Sequence, residues 1–585
     1  MTSPFIAKKQ VKIGLAFLLS FAGVMLFVIL LGGMRDVGYR FLWWAAFILI
    51  GIANTQYLFE VRLRKKRMFA IPAFLFVAAQ AIGYRLQTAG YTGLSGILLC
   101  VGIGICFTPA MAYACIRFAD VLDRRLTADD PKRPRSLTKV FWGSFAIIFI
   151  CWVPVFLAYY PGLFAYDVNQ QISEIITGQL TNYNPLLHTL YLGGFYQLGG
   201  ALGDYSVGIA LAVLVQMTAL AAAFAWLIRY MVMLRIPRVL GIAVLVTFAL
   251  LPVHSILAIS CTKDTLFTAA MLLYAIRLHQ LSQDVDLLAR RKWMLGTVVL
   301  IAIICLLRNN AFFGIALSIP LAFLIVPRPK RLRLFAMVLG GLLVYGMVGQ
   351  GLRAFTQADG INRTELVSIP SQQMARVYAL YHDVFPPSEE IIAYLPTAPN
   401  YYPYTADGVK TFAQVRKPGQ MWGFIKLWGK VGLQYPIAYL DAHLLTMQGY
   451  WWLDDTTHAR IYGEGLEDRQ GYLLTDTKQG FGVTHTSYFP PLERLLERLF
   501  SANEYQRIPI LSLLFAPSLY LWLTLFSLFR AIEQSNRVAI VISGFLLCYM
   551  LPMWFGACVL IRYVYPIMVC LPLHLLSPLE RRIIE

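Results

Sequence analysis

Charge is scarce in this chain. Only 14% of its 585 residues are Asp, Glu, Lys or Arg, while 58% are hydrophobic. A soluble fold of this length has too little interior to hide that much apolar surface, which excludes a water-soluble globular protein. The polar–apolar alternation that a membrane β-barrel needs is also lacking. Cysteine is sparse and unpatterned: the nine residues sit mostly inside apolar blocks, as at Cys100, Cys106, Cys151, Cys305 and Cys570, with none from Gly351 to about Arg507. That spacing offers neither a disulfide framework nor a zinc site. No phosphate-binding loop, Rossmann fingerprint, HExxH or nucleophile elbow stands where its context would require it, which argues against an ATP-driven pump and a cytosolic nucleotide-sugar enzyme.

What the chain does have is apolar blocks of roughly 20 residues, the length that crosses about 30 Å of hydrocarbon. Val11 to Gly33, Val140 to Leu157, Val239 to Leu257, Leu334 to Gly349 and Val538 to Phe555 are examples. A span must satisfy its backbone internally, so these blocks predict helices, about fourteen in all. The first run is too long for a signal peptide and no small-residue cleavage site follows it, so it reads as a retained span.

The net charge of +19 is distributed, not clustered. Lys and Arg concentrate in alternate gaps: Lys8 to Lys12, Arg62 to Arg67, Arg117 to Lys139, Arg229 to Arg238, Arg277 to Lys292, Arg328 to Arg333, Arg530 to Arg537, and Arg581 with Arg582. This is the positive-inside pattern and not a nucleic-acid surface. It predicts cytoplasmic termini and places the other gaps outside. The expected fold is therefore an all-α polytopic membrane protein with a mixed extracytoplasmic domain inserted before the last three spans. Its segments are an N-terminal four-helix block (1–119), a transmembrane core (139–350) with a first outer loop (159–185), the extracytoplasmic domain (351–506) and a C-terminal segment (507–585). The run TADDPKRPRS within Arg117 to Lys139 suggests a hinge.

The first outer loop reads YYPGLFAYDVNQQISEIITGQLTNYNPLLHTL. Pro161-Gly162 ends a span, and Asp167 starts a short helix that Gly178 terminates. Ile172, Ile175 and Ile176 on that helix suit a membrane surface. In the outer domain, Pro418-Gly419 precedes a stretch whose Trp422, Lys426, Trp428 and Lys430 fit an amphipathic helix resting on headgroups.

Asp167 stands about one turn outside a span, where a carboxylate could take a proton from a hydroxyl nucleophile. It would equally serve as a helix N-cap. CTKDTLF places Lys263 and Asp264 at the outer start of a span, where Asp264 could simply cap and Lys263 snorkel. LRNNAFF places Arg308, Asn309 and Asn310 at an outer turn, and Arg308 at a helix C-terminus is comfortable there without further role. RYVYP puts Arg562 inside the last apolar block, where a charge is costly and usually faces a cavity or partner. Three cations from three spans at one boundary, near one carboxylate, suit an anionic phosphate leaving group. His188 is a further candidate, though an isolated histidine beside an apolar stretch is commonly structural.

The set YYPGLFAYDVNQQ…NPLLHTL, TKDTLF, LRNN and RYVYP, from the fifth expected span onward, resembles the GT-C superfamily of bacterial multi-pass membrane glycosyltransferases. IPSQQMAR, with Gln372, Gln373 and Arg376, resembles the P-x-QQ-x-AR stretch of that group's outer domain. The resemblance implies an inverting transfer from a polyprenyl-phosphate-linked sugar to a glycan or glycolipid acceptor on the outer face, in cell-envelope assembly. Asp167 would be the base, with Lys263, Arg308 and Arg562 on the donor phosphate. His188, Asp264, Asn309, Asn310, Gln372, Gln373 and Arg376 would contact substrate. The doubled acidic motif of some members is missing, since Val168 follows Asp167, so no cofactor is indicated, a divalent metal included. The expected partners are the lipid-linked donor, the acceptor and membrane lipids, without nucleic acid. One alternative is a transporter or flippase for a lipid-linked saccharide, which should show paired broken helices in related halves. The other is a structural assembly protein, which leaves the three outer cations unexplained.

Overall fold

The computed structural model describes residues 4–31, 40–127, 136–163, 167–358, 363–381, 388–415, 417–454, 481–501 and 504–577. The described residues are 83% helical and form no strand. The expected all-α membrane protein is thus what the chain folds into, and the described part of 351–506 is helices and turns, without the strands of a mixed domain. Of the expected hinge, 127–136, residues 128–135 lie outside the described residues.

Eight helices among the described residues are long and apolar enough to cross a membrane, or nine if one bent pair counts as a span. Several blocks expected as spans are too short or too polar. Ala311–Ala322 and Ile561–Leu575 are 12 and 15 residues long. Lys263–Gln283 carries Lys263, Asp264, Arg277 and His279 along its 21 residues.

The chain forms two compact units. The first holds Met1–Arg125, Thr364–Asp455 and Leu525–Asn536. Its spans are α1 (Pro4–Leu30), α2 (Arg40–Glu60), α3 (Leu63–Ala89) and α4 (Gly93–Thr127). α1 and α2 pair through the Ser20 hydroxyl on the Phe47 carbonyl (2.7 Å) and the Asn54 amide on Ala16 (3.3 Å). The segment 364–455 thus groups with the N-terminal helices, a division that differs from the expected boundaries 1–119 and 351–506. Asp441 accepts from the N–H and hydroxyl of Thr92, Gln448 donates to the Gly83 carbonyl (3.0 Å), and Gln80 bonds Trp451 and Leu453. These join it to the α3–α4 corner. The helix Pro418–Gln434 forms as expected, with Trp422 exposed under the Lys426 ammonium. The Trp428 indole N–H donates to Gln373 (2.8 Å).

The second unit holds Leu126–Arg363, Thr456–Thr524 and Arg537–Glu585. Ser136 caps α5 (Leu137–Ala158), its hydroxyl accepting from the Lys139 N–H. α6 (Asp167–Thr177) ends at Gly178, whose φ of 70° is the left-handed conformation glycine favours. Its inner face is Val168, Gln171 and Ile172, packed on α7 (Leu186–Leu202), while Ile176 stays exposed. Ile172 thus leaves the expected membrane-facing set. α8 (Tyr205–Met233), capped by Asp204, is the most enclosed of the eight spans, and α5, α7 and α11 (Lys263–Gln283) pack against it. α9 (Arg238–Leu250) and α10 (Pro252–Ile259) form the bent pair, with an angle of 49°. α12 (Arg291–Leu307), α13 (Ala311–Ala322) and α14 (Arg331–Thr356) follow.

Candidate functional site

The second unit interrupts its helices where its charges gather. α10 stops at Ile259 and α11 starts at Lys263, so the carbonyls of 258–260 lose their helical partners. Buried backbone in a membrane protein must find others. Gln216 on α8 donates to the carbonyls of Ala258 (2.8 Å) and Ser260 (2.6 Å). The loop leaving α5 supplies the rest. The Leu163 N–H donates to Ile259 (3.1 Å), and its carbonyl accepts from the Cys261 N–H (2.9 Å). Gly162 permits this approach: a Cβ there would stand 2.6 Å from a Val213 methyl and 3.0 Å from the Ile259 carbonyl oxygen, at a φ of 144°. Two segments far apart in sequence are thereby clamped together just before Asp167 and Lys263.

Each ionic residue sits at a helix end. Asp167 opens α6, Lys263 and Asp264 open α11, Arg308 caps the C-terminus of α12, and Arg562 is the second residue of the helix Ile561–Leu575. Their side chains meet. The Lys263 ammonium bonds Asp167 and also Oδ1 of Asn184 at 3.2 Å. The Arg562 guanidinium lies between the carboxylates, 3.3 Å from Asp167 and 3.6 Å from Asp264. Arg308 bonds Asp264, and its guanidinium lies over the Tyr563 ring, 4.4 Å from the centroid. Asp264, Arg308 and Arg562 are buried; Asp167 and Lys263 keep some exposure.

Three cations against two carboxylates leave one unit of positive charge in a buried place, a surplus that suits an anion. Burial pushes the Asp167 carboxyl up, but Lys263, Arg562 and Arg308 outweigh it and hold the group below the ordinary carboxylate range. Asp167 is therefore an ion-pair partner and not merely a cap. Asp264 is likewise engaged by Arg308. Asn309 and Asn310 form the turn between α12 and α13, with Asn310 exposed. Among the described residues no group of three His, Cys, Asp or Glu could hold a metal ion.

His188 is buried in the first turn of α7, near enough to Lys263, Asp264 and Asp167 to feel their charges. Asn184 and Gln171, neither singled out as a site residue from the sequence, both belong to this neighbourhood. Gln171 faces the imidazole Nδ1 at 3.2 Å. The one available signal was their position, respectively one residue before Pro185 and one turn after Asp167.

Gln372, Gln373 and Arg376 belong to the first unit, on the helix Ser368–Tyr381. Gln372 donates to the Tyr402 carbonyl (2.6 Å) and Gln373 to that of Tyr439 (3.2 Å). Arg376 bonds Gly90 (2.6 Å) and the Tyr401 hydroxyl (3.1 Å), with Asp441 at 3.7 Å. These contacts give the three residues a packing role within their own unit.

A model of a protein family of unknown function (DUF6020) matches residues 176–582, a stretch that contains Lys263, Asp264, Arg308 and Arg562 and begins just after Asp167. No curated protein and no solved structure matches the chain.

Proposed function

We propose a catalytic role for this chain, which belongs to the family of unknown function DUF6020: an inverting membrane glycosyltransferase that moves a sugar from a polyprenyl-phosphate donor to an acceptor hydroxyl on the outer face of the membrane. The observation that carries this reading is the cluster of Asp167, Lys263 and Arg562, backed by Asp264 and Arg308. In the transfer the acceptor O–H proton passes to the Asp167 carboxylate while the acceptor oxygen bonds the anomeric carbon. The bond from that carbon to the phosphate oxygen breaks, and its electron pair leaves with the phosphate. A phosphodiester carries one negative charge and its leaving phosphate up to two, so stabilisation by the cluster's surplus positive charge grows as the bond breaks. Lys263 exchanges its bond with Asp167 for the donor phosphate, which frees the carboxylate as a base.

The bend between α9 and α10 is the one feature that favours a transporter, which would use broken helices as gates. Such a fold pairs its breaks between related halves, and among the described residues no second bent pair accompanies this one.

Isolated membranes containing the protein, incubated with a panel of radiolabelled polyprenyl-phosphate sugars, should release label into acceptor material. Loss of label from the lipid fraction that persists equally in membranes carrying Asp167→Asn protein would refute this reading.

A further inference from the structure

Among the described residues, the buried polar atoms beside the cluster that lack hydrogen-bond partners include Nε2 of His188 and Nδ2 of Asn184. His188 is 0% exposed and Asn184 is 1% exposed, so neither atom is solvated by bulk water. An unmade buried hydrogen bond is costly, which makes these atoms informative.

Their chemical polarity follows from their neighbours. Lysine can only donate, so the Asn184 atom 3.2 Å from the Lys263 ammonium is the amide oxygen, and the remaining Nδ2 is a donor. The Gln171 Nε2 donates to the Thr189 hydroxyl at 2.9 Å, leaving Oε1 to face the His188 Nδ1 at 3.2 Å. An oxygen in that place requires a proton on Nδ1, so Nε2 of a neutral His188 is a bare acceptor. One donor and one acceptor, each fixed by a second residue, therefore flank the cations.

An apolar alcohol leaves the cations unmet, and a phosphodiester group by itself has no O–H to donate to the His188 Nε2. A polyol carrying an anionic group satisfies all of it: the phosphate meets the cations, and hydroxyls both donate and accept. We infer that His188 and Asn184, oriented by Gln171 and Lys263, read hydroxyls of the donor's sugar, His188 Nε2 accepting from one and Asn184 Nδ2 donating to one. This rests on the reading of the cluster as a lipid-phosphate donor site and adds which part of the donor is recognised and by which atoms. Gln171 acts as a positioning residue, since its contact is with the imidazole.

The test uses the full chain in lipid nanodiscs and two kinds of probe of equal charge: polyprenyl-phosphate hexoses and pentoses, and polyprenyl methyl phosphate, which has no hydroxyls. The wild type should bind at least one sugar lipid about ten- to a hundredfold more tightly than the methyl ester. His188→Phe, Asn184→Leu and Gln171→Leu should lose that increment and retain methyl-ester binding. Gln171→Glu still accepts from Nδ1 and should retain the increment. A second measurement needs no variant: in ¹⁵N-histidine spectra of the wild type, an Nε2 signal of the bare type should shift when the sugar lipid is added and stay put with the methyl ester. Equal affinity for all probes, with no such shift, overturns the inference and leaves the anion site standing. Binding of neither probe above that of Arg562→Ala protein overturns the donor reading and this inference with it, a result distinct from the first.

Discussion

Asp167 and Asp264 should respond in opposite ways to the same substitution. Both are carboxylates in one cluster, yet Asp264 is nearly inaccessible, with 2% side-chain exposure, whereas Asp167 retains 19%. Asp264→Asn leaves the buried Arg308 without its carboxylate. Breaking a buried ion pair from one side typically costs about 3–5 kcal/mol, because the remaining charge is stranded. That is a large share of the ~5–15 kcal/mol by which domains are stable, so the variant should be poorly abundant and melt early. Asp167→Asn also removes a partner, from Lys263 and Arg562, but Arg562 keeps Asp264 at 3.6 Å and Lys263 keeps Asn184 at 3.2 Å. Asparagine matches the shape but cannot take the acceptor's proton. The protein should accumulate normally while transfer falls by roughly 10²–10⁴-fold, the usual share of general-base catalysis. Turnover per molecule at matched membrane abundance, alongside thermal unfolding of both variants, measures the contrast. Near-normal turnover of Asp167→Asn would remove it as the base. Normal melting of Asp264→Asn would refute the account of the buried pair.

Arg562→Ala should still insert, because Asp167 keeps Lys263 and Asp264 keeps Arg308, while donor affinity falls about 10- to 100-fold, the worth of a charge-assisted hydrogen bond; titration of the purified variant with donor decides. Gly162→Ala should cost about 1–3 kcal/mol, since a Cβ meets Val213 and the Ile259 carbonyl at a φ of 144°, and a thermal shift of the purified protein reads it. Burial first, and Lys263 second, lower the His188 pKa to about 3, against the opposing pull of Asp264 and Asp167. The unfolded chain therefore binds the extra proton between about pH 6.5 and 3. The stabilisation is full above that window and fades as pH falls through it, so the wild type should lose more melting temperature from pH 7 to 4.5 than His188→Phe does. For orientation, cysteines replacing Arg67 and Asp407 should label from opposite sides of the membrane, and same-side labelling would overturn the charge-based topology.

The sequence by itself determined the solvent and the elements. Apolar blocks and alternating basic gaps specify helices in a bilayer, because hydrocarbon leaves a backbone no other way to bond. Asp167 at the head of α6 and Gly178 at its end were legible for the same local reason. Span number was less legible, since periodicity does not tell a 15-residue apolar helix from a full crossing. The IPSQQMAR residues illustrate a different limit: a motif fixes residue types, while packing decides whether Gln372 and Arg376 spend their hydrogen bonds on Tyr402 and Gly90. Only the tertiary structure decided which charges meet. Three cations were expected near Asp167, but the specific pairs, Asp264 with Arg308 and Lys263 with Asp167, join residues 44 and 96 positions apart that no local pattern could match. Closing those distances takes the clamp of Leu163 on Ile259 and Cys261, which depends on the one residue type that fits at Gly162. The directions in which His188 and Asn184 can bond were likewise set by Gln171 and Lys263, neighbours in space whose roles no local pattern announces.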